Sequence, residues 1–115
     1  MRAGSGEFSA WQASIYIMAL RQYTISMTLV FNPSAFKHDV TENDIEAAMA
    51  TPLFDELIEG YDNKYLLIGF DRSGNLIEVM YNLVDEEIAN IFHAMDCRND
   101  VLRKIKERGY YADFN

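Results

Sequence analysis

Cysteine occurs once in this chain of 115 residues, at Cys97, so no disulfide can close within it, and this usage fits a reducing cytoplasm. The two prolines, Pro33 and Pro52, are too few for a proline-rich linker, and no internal repeat or low-complexity run is present. The uncharged stretch at residues 13–20 falls short of the ~20 apolar residues that span a bilayer. Arg2 precedes that stretch as in a signal peptide, but Arg21 follows it with no small-x-small cleavage site. No membrane association is expected.

Metal-ligating residues are also scarce. His93, Asp96 and Cys97, with His38 as a distant fourth, match no structural zinc spacing, and no paired Cys-x-x-Cys or His-x-x-x-His occurs. A glycine-rich phosphate loop, a nucleophile elbow and a dinucleotide fingerprint are all missing. The expectation is therefore no metal and no cofactor. Lys and Arg are absent from residues 38–63, which hold eight acids: Asp39, Glu42, Asp44, Glu46, Asp55, Glu56, Glu59 and Asp62. The whole net charge of −8 sits there, because ten acids and ten bases balance over the rest of the chain. Residues 97–108 are locally basic, with Arg98, Arg103, Lys104, Lys106 and Arg108 against Asp100 and Glu107. Such a cluster suits either a solvated last helical turn or a surface that faces phosphate.

The residues that are plentiful point to a compact domain. Half the chain is hydrophobic, with seven Phe and seven Tyr. At this size roughly two-thirds of the unfolded surface can be buried. Residues 1–26 differ in composition from the remainder of the chain and are assigned to an appendage, with Met27 a natural alternative start and residues 27–115 a single domain. Residues 9–23 are compatible with a helix that carries Trp11, Ile15, Met18 and Leu20 near one side. Thr28-Leu29-Val30-Phe31 reads as a strand ended by Asn32-Pro33-Ser34. Thr41 and Asp44 form a capping-box-like start to a short helix with Ile45, Ala48 and Met49 on its apolar face. Residues 53–61 fit a helical stripe and a strand edge alike.

Beyond them the pattern is that of a meander. Residues 65–70, 76–84 and 88–95 are apolar runs of strand length separated by turn residues, and a last helix begins near Asn99 or Asp100, with Val101, Leu102 and Ile105 inward. Continuous apolarity in these strands predicts that both sheet faces are partly covered. The expected class is α+β: a mainly antiparallel sheet of about four strands, a helix between the first strand and the meander, and a C-terminal helix.

This order of elements resembles the small RelE-like ribonuclease toxins, and within them the BrnT type. The likeness covers about residues 27–108. It is carried by Phe36-Lys37-His38-Asp39-Val40-Thr41 running into a helix, similar to that family's Lys-His-Gly-Val-Ser segment, and by Tyr65-Leu66-Leu67-Ile68-Gly69-Phe70, Gly74-Asn75-Leu76-Ile77-Glu78-Val79 and Ile91-Phe92-His93-Ala94-Met95. Two departures stand out. The last strand ends in His-Ala-Met where BrnT-type chains usually carry a Ser-Ala-Arg-like end, leaving Arg98 as the nearest arginine, and the chain is acidic where such toxins tend to be basic. The resemblance implies metal-independent endoribonuclease activity, an RNA substrate and an antitoxin partner.

Such cleavage needs a base for the 2′-hydroxyl, an acid for the leaving 5′-oxygen and cations for the charge that gathers on the phosphate. His93 and Arg98, at a strand end before a basic helix, are the expected catalytic residues, with Lys37, His38, Arg103, Lys104 and Tyr81 expected to bind substrate. Each has an ordinary structural use: a histidine at a strand end is often a packing residue, and strand aromatics fill cores. The competing reading is a non-catalytic interaction or small-ligand module on the same fold, which self-associates through exposed sheet edges or the N-terminal segment.

Overall fold

The computed structural model describes residues 13–20 and 23–107, with side chains described for residues 27–107. In chain order these residues form β1 (Ala13–Leu20), β2 (Tyr23–Phe31), a 3-10 turn (Pro33–Phe36), α1 (Glu42–Ala50), β3 (Pro52–Leu57), β4 (Tyr65–Phe70), β5 (Leu76–Asp85), β6 (Ile88–Asp96) and α2 (Asn99–Glu107). The class is α+β as expected. The strands make one mixed sheet in the order β1-β2-β6-β5-β4-β3.

Three expectations change. Residues 13–20 form not a helix but a strand that pairs antiparallel with β2 along its whole length, from Ala13↔Val30 to Leu20↔Tyr23. The β-branched Ile15, Ile17, Thr24 and Ile25 favour strands, and a complete backbone ladder outweighs the helix propensity of Met18, Ala19 and Leu20. The boundary placed at Met27 falls inside β2. The ambiguous residues 53–61 contribute β3, an edge strand paired with β4. Finally, the sheet is not purely antiparallel and exceeds four strands: β2 to β6 supply five and β1 a sixth. Beside β6, β2 runs parallel, with Thr28↔Ile88 through Phe31↔Ile91. The helix α1 makes a crossover between β2 and the meander, and β6, whose Ala89 and Ile91 are fully buried, acquires a neighbour on both edges.

The capping box at Thr41 and Asp44 forms as expected. It starts α1, whose Ile45, Ala48 and Met49 pack on the first sheet face with Leu29, Phe31, Leu67, Ile77, Val79 and Ile91. On the second face α2 covers only the β3–β4 end, where Val101 and Ile105 meet Phe54, Leu66, Ile68 and Leu76. Toward β6 that face is more open, with Met80, Phe92 and Met95 half-buried and Val84 exposed.

Gly69 sets how closely α1 approaches the sheet. A Cβ there would lie 2.9 Å from Ala48 Cα and 3.0 Å from Ala48 C, closer than atoms tolerate, and the opposing atoms are helix backbone that no rotamer change can move. Gly69→Ala is expected to lift α1 off β4 and cost about 1–3 kcal/mol, read as a lower midpoint in urea with unchanged slope.

Candidate functional site

The site begins with an irregularity in β6. Met80 pairs with His93 but Tyr81 pairs with Ile91, so Phe92 is an extra residue in the ladder. Ile91 and Ala94 both enter the first-face core, which leaves Phe92 and His93 side by side on the other face. The bulge is plugged by the turn after β2: Asn32 N–H donates to Ile91 O at 2.8 Å, and Ser34 Oγ donates to Phe92 O at 2.6 Å. That same turn carries Lys37 and His38 past the strand end. The His38 ring stands edge-on to His93 with centroids 5.7 Å apart. The next residue, Asp39, takes a left-handed φ of 65°, a conformation that Asp tolerates better than most side chains.

Glu78 organises the corner. It interrupts the apolar face of β5, points to the second face diagonally across from His93, and is completely buried. His93 Nε2 lies 2.9 Å from Glu78 Oε2. Arg98 donates from Nη2 to Oε2 at 2.6 Å and from Nε to both oxygens at 3.1 and 3.2 Å, while its backbone N–H donates to Oε1 at 3.1 Å. Burial pushes the Glu78 carboxyl upward, but the hydrogen bonds from His93 and Arg98 and the guanidinium charge outweigh it and hold the group down at about 2. The carboxylate is therefore ionised at neutral pH and carries no proton. His93 Nε2 must carry the hydrogen between them, which leaves Nδ1 of the neutral ring as the lone-pair nitrogen. This arrangement of a carboxylate, an oriented histidine and a second histidine is suited to proton transfer.

The other expected site residues fall in different places. Lys37 is exposed, next to His38 in the chain. Arg103 and Lys104 are exposed on α2, and Lys104 borders a groove of about 240 Å³ between α2 and β3–β4, lined also by Phe54, Leu57, Leu66 and Ile105. That groove holds no histidine or arginine and includes Glu56 and Glu59, so Lys104 is set among apolar side chains and carboxylates and not against His93. Tyr81 requires a correction. It lies on the first face, opposite His93, buried and stacked on Tyr65 with centroids 5.1 Å apart, and its hydroxyl donates to Asp55 at 2.6 Å. Burial and the neighbouring Asp55 carboxylate drive the Tyr81 phenol far above its ordinary range, and burial raises Asp55 despite that hydrogen bond. A base cannot stack on a ring closed in this way.

Cys97 is half-buried, and burial together with the Glu78 charge pushes its thiol up to about 11, so it stays protonated and is a poor nucleophile. Among the described residues no cluster of three metal-ligating side chains exists, and no helix is long and apolar enough to cross a membrane. Tyr110, Tyr111, Gly109 and the helix stop expected there lie outside the described residues. Sequence reasoning missed Glu78. Its signal was present, since a lone acid inside Leu76-Ile77-Glu78-Val79-Met80 must find a partner if the strand is buried.

No protein-family model matches the chain, and no curated protein and no solved structure matches it either.

Proposed function

We propose that this protein is a metal-independent endoribonuclease toxin of the BrnT type, within the RelE-like ribonucleases, and that an antitoxin protein restrains it. The observation that carries the reading is the pairing of His93, oriented by a buried ionised Glu78, with His38 edge-on at 5.7 Å. In this scheme His93 Nδ1 takes the proton of an RNA 2′-hydroxyl and the freed oxygen attacks the adjacent phosphorus. The bond to the 5′-oxygen breaks, and His38 supplies the proton to that leaving oxygen. The products are a 2′,3′-cyclic phosphate and a 5′-hydroxyl, with no metal required. Arg98 Nε and Nη2 face Glu78, so Nη1 is the part of the guanidinium left for phosphate charge, and the exposed Lys37 is assigned to peripheral substrate binding. Glu78 is a positioning residue. Asp39 lends further support, because its left-handed φ falls where the resembled family carries glycine.

A second reading, a non-catalytic interaction module, has one specific observation in its favour: Glu78 holds both Nε and Nη2 of Arg98, as a purely structural clasp would. Expression under tight control separates the two. The toxin reading expects growth arrest and RNA cleavage by wild type, cleavage by purified protein in the presence of EDTA, and relief by a small protein encoded beside it. Unaffected growth and intact RNA at full expression, with no adjacent antitoxin gene, would make the interaction module the better account.

A further inference from the structure

We infer that Tyr61, Lys64 and Phe92 form a subsite for single-stranded RNA, in which an unpaired base stacks on the exposed ring while Lys64 holds the adjoining phosphate. This rests on the nuclease reading and adds to it the class of strand that the site accepts. Lys64 Nζ sits 4.2 Å from the centroid of the Tyr61 ring and 5.6 Å from that of Phe92, so one cation bridges two aromatic faces. The bulge turns Phe92 to the same face as His93, and the bridge therefore ends at the residue next to the proposed base.

The loop that presents this bridge is held firmly. Asn63 substitutes for a strand residue, with its Nδ2 donating to Leu83 O at 2.8 Å and its Oδ1 accepting from Leu83 N at 2.8 Å. Ile58 N–H donates to Lys64 O at 2.8 Å, Tyr61 N–H donates to Ile58 O at 3.1 Å, and Gly60 supplies the positive φ of 92° that the turn requires. Tyr61 is nonetheless 51% exposed, an accessible aromatic ring on a loop whose backbone is fixed. Fixed aromatic planes beside a cation are what sequence-tolerant single-strand binding uses, because every base has a π-face and every linkage a charge. Double-stranded RNA, whose bases are already stacked, has nothing to offer this platform.

The test uses the whole chain and a 5′-fluorescein-labelled 2′-O-methyl decamer of adenosine and cytidine. This probe is unstructured and lacks the attacking hydroxyl, so binding is read by anisotropy without cleavage. Wild type is expected to bind it and to ignore the same strand annealed to its complement. Tyr61→Ala and Phe92→Leu are each expected to weaken binding about tenfold, with Tyr61→Phe restoring it, and Lys64→Gln to weaken it and flatten its salt dependence. Circular dichroism and thermal melts check that each variant is folded. Binding by wild type without cleavage of the matching RNA would sink the nuclease reading and leave this subsite standing. Conversely, if wild type cleaves RNA while Tyr61→Ala and Lys64→Gln keep its binding constant and KM, the subsite is wrong and the nuclease stands. Failure of wild type to bind the decamer, or equal binding of the duplex, also overturns it.

Discussion

Glu78→Gln is expected to remove about 3 kcal/mol of folding free energy at neutral pH, the equivalent of lowering the carboxyl from its ordinary 4.5 to about 2. The direction of the shift fixes the sign. Because the folded group titrates below the unfolded one, its contribution is complete above pH 4.5, shrinks as the pH falls, and is gone near pH 2. Wild type should therefore lose stability steeply across that window, and Glu78→Gln should start lower and lose less. The amide also turns an N–H group toward the donors of Arg98 and His93, and breaking a buried pair from one side typically costs about 3–5 kcal/mol. Urea melts at pH 3, 5 and 7 check both points. Equal slopes of stability against pH in the two proteins would show that Glu78 is not held as described.

A second large effect is expected at His93. If the proposed nuclease reading holds, removing His93 takes away a general base and cleavage should fall about 100- to 10,000-fold, mainly in kcat. His93→Gln is the informative variant, because its amide N–H can still donate to Glu78 while it cannot shuttle a proton at neutral pH. It should fold as wild type does and be inactive. Lys37→Ala, which removes only a peripheral cation, should instead raise KM and reduce the salt dependence. Single-turnover cleavage of a short unstructured RNA, with thermal melts alongside, separates these outcomes. Full activity in His93→Gln would remove His93 from the reaction and leave the Glu78 clasp as a structural feature.

Several elements were readable from residue type and spacing alone. The capping box of α1, the β4–β5 hairpin around Asp71 and Gly74, and the apolar stripe of α2 all arise from local chemistry: an N-cap side chain, turn residues and a helical period. The pair His93 and Arg98 was also legible, because both lie within one strand end and its exit. Residues 13–20 were not. They read as compatible with a helix, and pairing with β2 makes them a strand.

The rest depended on contacts between residues distant in sequence. Glu78 joins His93 and Arg98 across 15 and 20 positions, His38 reaches His93 because a turn plugs a bulge, and β2 pairs with β6 although α1 and the meander lie between them in the chain. A sequence records that Glu78 is a charge in an apolar strand, and thus that it needs a partner. Which groups answer that need is set by strand register, since a shift of one residue would send Glu78 to the face of Tyr81 and leave His93 unheld. In the same way Tyr81 had the composition of a stacking residue, and the pleat alone put it in the core while Tyr61, on a loop pinned by Asn63, stayed open to solvent. Local chemistry therefore determined the elements and their ends, and tertiary packing determined which side chains share a face, because the side-chain period of a strand is two and its partners are chosen at long range.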